Sequence, residues 1–325
     1  MGDVRTHQEQ RGTGGDEVAP RPQSLMLTFL GNFVLGGDVC VYSGSIIEVF
    51  GRAGIGEHAT RSTLTRMVNR GLLQRRREGR RMYFGLTERA SAILRDGEYR
   101  VWKRGAVNDH WDGVWTLLAF SLPESSQRQR HDLRSQLAWA GFGPLIGGLW
   151  IAPGTADVTT ITGDPELGPY VRVFRSTADP ATDIDRMVHD TWDLAATSAG
   201  YLAFRDRWTA FADGHGAPGP DARTTPAPDT AADALSVKLR LLTEWLQIVR
   251  ADPHLPVRHL PADWPASSAE DVFRRADARV DAPARALAAE LLKTVPNPAR
   301  DPAPGPAPRP APGPALPVQK RSPTS

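Results

Sequence analysis

The fold is decided by the stretch 57-EHATRSTLTRMVNRGLLQRRREGRRMYFGLT-87, which contains a helix pattern, a stop and a hairpin pattern. Residues 57–70 predict a helix with one buried face, because small and apolar side chains recur at three- and four-residue spacing. Gly71 ends this helix, and residues 72–77 and 80–86 predict two short strands turned at Glu78 and Gly79. The predicted buried face of the helix consists of Thr60, Thr63, Leu64, Met67 and Val68.

The opposite face of this helix carries polar groups that are suited to reading DNA. An arginine side chain pairs with guanine, asparagine pairs with adenine, and serine or threonine pairs with either base. None of the side chains on this face is large and apolar. We therefore predict that the helix enters the major groove and that bases are read by His58, Arg61, Ser62, Thr65 and Asn69.

The hairpin that follows is strongly basic. Residues 70–81 contain six arginines and one glutamate, a local net charge of +5. A helix of this kind followed by an arginine hairpin is the layout of a winged helix-turn-helix, in which the wing neutralises phosphates or enters the minor groove. The side chains predicted to contact phosphate or the minor groove are Arg66, Arg75, Arg76, Arg77, Arg80 and Arg81.

Two other interpretations of this stretch remain open. It is compatible with an exposed amphipathic helix beside a solvated basic hairpin, since most runs of charge have no partner. It is also compatible with an adaptor whose winged domain binds protein. The local charge of +5 favours DNA, because an adaptor does not need it.

Composition limits the classes of protein that the chain can belong to. Its 325 residues carry a net charge of only +2, so the whole chain is not a general binder of polyanions. With Cys40 as the single cysteine, no intramolecular disulfide can form, which fits a reducing cytosol. No apolar run has the roughly 18 residues that a membrane helix needs. We expect a cytoplasmic protein without a membrane partner.

Outward from the hairpin, the chain predicts an α+β protein of several domains. The middle of the chain has the order β-α-β-β-α-β, which suggests a ferredoxin-like sandwich. The Pro- and Gly-rich ends bury too little to fold. The predicted units are a disordered tail (1–22), a winged helix-turn-helix domain with a connector helix (23–106), a ferredoxin-like domain (111–178), a helical C-terminal domain (180–296) with a mobile loop (213–229), and a disordered Pro-rich tail (297–325).

Three separated blocks give the chain a family resemblance. The first is residues 57–87, the second is WDGVWTLLAF (111–120) with LRSQLAWAGFGPLIGGLWIAP (133–153), and the third is DTWDLAATSAGYLAFRDRW (190–208) with DPHLPVRHLPADWP (252–265). Together they resemble the PaaX family, repressors of phenylacetic-acid degradation operons. The resemblance implies a winged-helix domain, a middle domain like the CRISPR adaptation endonuclease, and a helical C-terminal domain. It also implies a cytoplasmic homodimer that binds operator DNA and is released by phenylacetyl-coenzyme A.

The resemblance leads to a hypothesis about the effector site. A coenzyme A thioester presents phosphates for arginine and an apolar acyl end for aromatic rings, and domain junctions often form pockets. Core packing is the alternative explanation for the tryptophans. Beyond this effector no cofactor is expected. The side chains proposed for the junction of the middle and C-terminal domains are Arg172, Arg175, Trp192, Phe204, Arg205, Arg207 and Trp208.

The middle domain also raises the possibility of a metal-dependent nuclease. The endonucleases that it resembles keep an aspartate at the end of the first strand to hold a divalent cation. Here that strand ends Phe120-Ser121-Leu122-Pro123, and the first carboxylate after it is Glu124. The histidines are scattered, and one cysteine cannot support a zinc cluster. We therefore expect no metal site and no enzymatic activity.

Overall fold

The computed structural model describes residues 21–216 and 234–297. Within these ranges the protein is mixed α/β, with helices around two four-stranded sheets. The predicted disorder of residues 1–20 and 298–325 and the predicted loop beyond residue 216 lie outside the described residues. Residues 21 and 22, assigned to the first tail, are described, and Pro22 begins the first helix.

The N-terminal part of the described chain follows the predicted order of elements. Its helices pack their apolar faces on one core, in which Met26, Phe29, Ile46 and Phe50 are fully buried. The hairpin turn lies at residues 79–80, one residue later than predicted. The elements are α1 (Pro22–Phe33), β1 (Val39–Tyr42), α2 (Ser43–Arg52), α3 (Glu57–Asn69), β2 (Leu73–Glu78), β3 (Arg81–Leu86) and α4 (Glu88–Trp102).

The middle part forms an antiparallel sheet that is covered on both faces. Leu118 of its first strand packs against Leu133 and Leu137 of the following helix, while Trp115 packs on the other face against Val188. Burial on both faces explains the near-continuous apolar run of this strand. The elements are β4 (Val114–Phe120), α5 (Gln127–Trp139), β5 (Gly143–Ile146), β6 (Leu149–Pro153), α6 (Thr159–Thr162) and β7 (Val171–Thr177), in the sheet order β5-β6-β4-β7.

The C-terminal part consists of helices until its last strand. Its first two helices separate at Trp192, and Asp193 caps the second by accepting a hydrogen bond from the Ala196 N–H. The second helix and the two long helices that follow it pack together around an aromatic core. The elements are α7 (Ile184–Thr191), α8 (Leu194–Ala212), α9 (Ala234–Ala251), α10 (Ala266–Leu291) and β8 (Thr294–Pro296), with short 3-10 turns at Gly168–Tyr170 and Val257–His259.

The C-terminal region ends in one long helix followed by a short strand. Helix α10 continues through Pro283, and its buried stripe of Val280, Ala284 and Ala288 keeps it whole despite the hydrogen bond that proline cannot donate. After α10, β8 pairs antiparallel with β1, with Val295 opposite Cys40. Without β8, the backbone N–H and C=O groups on this edge of β1 would have no partners, and the pairing with β8 supplies them.

This pairing joins the N- and C-terminal regions, which are predicted from the sequence to be separate units. Strand β8 completes a sheet of order β2-β3-β1-β8. Leu235 and Leu239 of α9 and Ala288 of α10 belong to the same buried cluster as α1 and α3. Residues 180–296 are therefore not purely helical, and part of them belongs to the core beneath the basic hairpin.

Candidate nucleic-acid interface

Helix α3 presents one buried and one exposed face, as predicted. Thr60, Thr63, Leu64 and Met67 are buried, and Val68 is half-buried. The two threonine hydroxyls are satisfied inside the helix, since Thr60 Oγ1 donates to the Gly56 carbonyl (3.2 Å) and Thr63 Oγ1 donates to the Ala59 carbonyl (2.8 Å). Two polar side chains can therefore lie in the core without an unpaired group.

The predicted base-reading side chains lie on the outer face of α3. His58, Arg61, Thr65 and Asn69 are exposed, and Ser62 is half-buried. The side chain of Arg61 is 60% exposed, and its guanidinium contacts the Glu57 carboxylate at 2.7 Å. Thr65 Oγ1 donates to the Arg61 carbonyl (3.0 Å). In this conformation Arg61 must exchange one acidic partner for another group before it can contact a base.

Arg66 is exposed but is held close to the protein. Its Nη2 donates to Thr63 Oγ1 (3.1 Å), which draws the guanidinium back over the helix. Arg70, one turn later, donates to Gln23 Oε1 of α1 (3.1 Å). Arg70 therefore ties the end of α3 to α1, whereas Arg66 is held within α3, and both add positive charge to the surface.

The hairpin arginines differ from one another in their exposure and contacts. Arg75, Arg77, Arg80 and Arg81 are exposed, and Arg81 lies over the Tyr42 ring at 5.5 Å. Arg76 is half-buried, because its Nη1 donates to the Pro296 carbonyl of β8 (2.8 Å) and its Nη2 contacts Glu78 at 3.1 Å. Arg76 therefore connects the hairpin to the last strand, a role that could not be predicted without β8.

The helix before the turn is fixed to the end of α10. Ser45 Oγ donates to the Leu291 carbonyl (2.7 Å) and accepts from the Lys293 N–H (3.1 Å). The Tyr42 N–H also donates to the Lys293 carbonyl (2.8 Å). Gly54, with φ +79°, allows the tight turn from α2 to α3. The position of α3 is thus coupled to the C-terminal helix.

Asn297 corrects the predicted boundary of the C-terminal tail. This residue is 7% exposed, and its backbone N–H donates to the Asp38 carbonyl (2.8 Å). Its side-chain amide also bonds to Gln74 of β2. Next to it, a Cβ on Gly85 would lie 2.5 Å from Cys40 Sγ, so only glycine fits there. The tail assigned to residues 297–325 therefore starts one residue too early.

The seven side chains proposed for an effector site do not form one cluster. Phe204 and Trp208 are buried in a core with Trp245, and Trp192 stacks on Trp115 in a separate cluster (6.3 Å between centroids). The arginines differ as well. Arg172 and Arg175 are exposed on β7, Arg205 contacts the adjacent Asp206 at 3.1 Å, and Arg207 contacts Glu244 at 3.1 Å.

The surroundings of Trp208 explain why its ring gives no ligand surface. The Trp208 Nε1–H donates to Glu244 Oε2 (2.8 Å), which also accepts from Arg207. The ring is fully buried, and Phe204 packs against Trp245 with centroids 5.2 Å apart. Core packing, the alternative explanation for the tryptophans, is thus the role of Trp208 on α8.

Residues 21–216 and 234–297 contain neither a metal-binding cluster nor a helix that could cross a membrane. Three or more His, Cys, Asp or Glu side chains do not come together there in a way that could hold a metal ion. Burial raises the pKa of the Cys40 thiol, which disfavours the reactive thiolate. Across the same residues, every helix is too short or too polar to span a bilayer.

Fold and charge together define a multidomain protein with one strongly basic helix-and-hairpin surface. Three family profiles match it: "PaaX-like protein" over residues 21–90, "PaaX protein central Cas2-like domain" over 108–188, and "PaaX-like protein C-terminal domain" over 192–290. The chain belongs to the PaaX family. This family is one of transcriptional repressors and not of enzymes.

Individual relatives agree with this assignment. The "Transcriptional repressor PaaX" of Escherichia coli (strain K12) is 27% identical over 266 residues, which cover 78% of each chain. Among solved structures, the "Uncharacterized protein Rv0674 from Mycobacterium tuberculosis" is similar in fold, with a TM-score of 0.52 and 21% identity. That likeness covers 82% of this chain and 99% of the other.

Proposed function

We propose that this protein is a sequence-specific DNA-binding transcriptional repressor whose reading element is a winged helix-turn-helix. The observation that carries the proposal is the exposed polar face of α3 beside the basic β2–β3 hairpin. The order α1, β1, α2, α3, β2, β3 is that of winged helix-turn-helix domains, and the sheet order of the middle domain agrees with a ferredoxin-like layout. The repressor named among the relatives supports the same function.

Each set of side chains has its own role in this proposal. The outer face of α3 lies in the major groove, where Arg61 reads guanine and Asn69 reads adenine, assisted by His58, Ser62 and Thr65. The hairpin arginines and Arg66 contact phosphates or the minor groove. A homodimer in the cytoplasm presents two such surfaces to a palindromic operator.

The proposed signal is an aromatic acyl-coenzyme A thioester such as phenylacetyl-coenzyme A. A ligand that binds the DNA-free dimer more tightly than the bound one shifts the population away from the operator. The regulated genes would then be those of phenylacetate or related aromatic catabolism. Calorimetry with the thioester, and release from operator DNA measured beside it, tests this part independently of DNA binding itself.

The central experiment selects binding sequences from a random DNA pool with the full chain. We expect a palindromic consensus, and Arg61→Ala should cost about 1–3 kcal/mol on it while relaxing the preference at one base position. Arg128→Ala is the matched control, because this exposed arginine lies on α5 of the middle domain. Equal losses on consensus and random DNA would assign Arg61 to the backbone, and a failure to select any sequence would favour the protein-binding adaptor.

A further inference from the structure

The sheet of order β2-β3-β1-β8 has an inner and an outer face, because side chains alternate between the two faces along each strand. Val41 and Phe84 lie on the inner face, where they belong to the same buried cluster as α1 and α3. Their neighbours in the strands lie on the outer face. The pairing of the strands places three of these side chains in one row, with Arg76 opposite Tyr83 and Tyr83 opposite Tyr42.

The next residue in this row, Lys293, comes from the C-terminal region. Strand β8 pairs with β1 so that Thr294 lies opposite Val41, and the Tyr42 N–H donates to the Lys293 carbonyl (2.8 Å). Lys293 thus lies opposite Tyr42, and the alternation of side chains places both on the outer face. The Lys293 side chain is exposed, and its ammonium group forms no hydrogen bond or ion pair with the other described residues.

Tyr42 holds an arginine on this face. Its ring packs against that of Tyr83 with centroids 5.7 Å apart, and the Arg81 guanidinium lies over the Tyr42 ring at 5.5 Å. A guanidinium at this distance is attracted to the electrons of the ring face. Gly44 leaves room for the arrangement, because a Cβ at this position would collide with the Tyr42 ring. The ring therefore restricts the directions that the Arg81 side chain can take, and it does so without neutralising the charge.

Two positive charges of the outer face are not offset by an acidic partner. Arg76 contacts Glu78 at 3.1 Å, so the charges of that pair balance. Arg81 and Lys293 are exposed and form no ion pair with other described residues. Arg81 lies on the β3 side of Tyr42 and Lys293 lies on the β8 side. Because neighbouring strands are about 4.8 Å apart, two cations separated by two strands can contact different phosphates of a duplex.

We propose that Lys293 binds a phosphate of the operator beside the one bound by Arg81, and that Tyr42 is a positioning residue that directs Arg81 to its phosphate. The C-terminal region thus contributes a side chain of its own to the DNA-binding surface. This inference rests on the proposed DNA-binding function, because the hairpin must lie along the duplex for either cation to reach it. Contacts to phosphates do not distinguish between bases, so both side chains strengthen binding to every sequence equally.

The experiment measures the affinity of the full chain for its selected consensus and for a random duplex at several salt concentrations. Lys293→Gln should weaken binding to both duplexes by the same factor. It should also flatten the dependence of log K on log salt by about 0.9, the contribution of one phosphate contact. Lys103→Gln is the matched control, because Lys103 is an exposed lysine at the end of α4, outside the sheet, and it should bind as the wild type does.

Tyr42→Leu removes the ring and should weaken binding to both duplexes by about two- to fivefold, the effect of losing an exposed cation–π contact. Tyr42→Phe keeps the ring and should restore wild-type binding. In a chain that already contains Arg81→Ala, Tyr42→Leu should have no further effect on DNA binding, because Tyr42 acts through Arg81. A purely structural role of Tyr42 would instead weaken binding to the same extent in both backgrounds.

Each part of the inference can fail separately from the proposed function. A wild-type salt dependence in Lys293→Gln would overturn the phosphate contact, and equal effects of Tyr42→Leu with and without Arg81 would overturn the positioning role. Tyr42→Thr replaces Tyr42→Leu if that variant does not fold, because a β-branched residue suits a strand. In both of these outcomes the wild type still binds its consensus. Absence of DNA binding by the wild type would overturn the proposed function, and this inference with it.

Discussion

The side-chain amide of Asn297 donates a hydrogen bond of 3.2 Å to the backbone carbonyl of Leu86. Leu86 ends the basic hairpin, and Asn297 follows the last strand, so this bond joins the hairpin to the end of the C-terminal region. Cys40 lies beside them, with its Sγ 3.5 Å from Asn297 Oδ1. The sheet beneath the hairpin is thus closed by a residue that belongs to the C-terminal region.

Asn297→Ala should lower the free energy of unfolding by about 1–3 kcal/mol, because it leaves the Leu86 carbonyl and the Gln74 amide without their partner. Thermal or urea unfolding of the full chain measures this. A chain that ends after residue 297 is the control and should retain the wild-type stability. Equal stability of chains that end after 296 and after 297 would contradict the role given to Asn297.

Replacing the exposed hairpin arginines should affect DNA binding, whereas replacing Arg76 should affect stability. The side chains of Arg75 and Arg80 are exposed and form no hydrogen bond or ion pair with other described residues, so their joint replacement by alanine should leave the free energy of unfolding unchanged. The same double variant should flatten the salt dependence of DNA binding by about 0.9 per lost phosphate contact. Arg76→Ala should instead lower stability by about 0.5–1.5 kcal/mol, since it removes the bond to Pro296.

An unchanged salt slope in the Arg75, Arg80 double variant would mean that these side chains point away from DNA. An equal free energy of unfolding for Arg76→Ala and the wild type would mean that the bond to β8 does not contribute to stability. The two measurements are independent, because one reports on the DNA complex and the other on the protein by itself.

Glu57→Gln should strengthen DNA binding several-fold at low salt. The change removes a negative charge from the surface of α3 and releases Arg61 from its carboxylate partner. Both side chains are 60% exposed, so losing this pair, together with an acidic group in the first turn, should cost less than about 1 kcal/mol of stability. Asp132→Asn, which opens an exposed i,i+4 pair on α5, is the control. Weaker DNA binding would show that Glu57 positions Arg61 for its base.

His254 should make the protein sensitive to acid. Burial and the nearby Arg104 lower the pKa of His254 to about 4, and its Nε2–H is positioned to donate to the Gly105 carbonyl (3.2 Å). The unfolded chain therefore takes up this proton first as the pH falls. The contribution of His254 is complete above about pH 6.5 and is lost progressively between pH 6.5 and 4, by about 3 kcal/mol at most.

The variant His254→Asn tests this sign, because asparagine tolerates the backbone φ of +60° at this position. Its stability should fall less steeply than that of the wild type between pH 6.5 and 4. Asp252 bonds to the His254 backbone N–H (2.6 Å), and burial raises the pKa of Asp252, which acts in the opposite direction. Identical pH profiles for the two proteins would contradict the assignment.

The surface of α3 could be predicted from sequence because its information is local. Thirteen residues contain both the apolar spacing that buries Leu64 and Met67 and the polar face that carries Arg61. The same holds for β4, whose apolar run reflects a strand with two covered faces. The helix, the hairpin and the strands of the middle domain can each be predicted from residues that are close together in the sequence.

The parts that could not be predicted depend on distant partners. Strand β8 has three residues, which show no periodicity, and its partner β1 lies near the other end of the chain. Pro283 indicates a helix start when read alone, but the buried stripe around it continues on both sides. The ring of Trp208 looks the same in sequence whether it faces a ligand or a core. Only packing against Trp245 and Phe204 decides between these environments.

The late arrival of β8 affects how the protein is made. Strand β3 ends at Leu86, but β8 begins only at Thr294, so the ribosome must synthesise almost the whole chain before the first sheet can close. At roughly 5–20 residues per second, the nascent protein exposes the edge of β1 for about ten to forty seconds. During that interval the open edge can pair with strands of other chains. A chain released early would carry the arginines of the hairpin without the strand to which Arg76 is bonded.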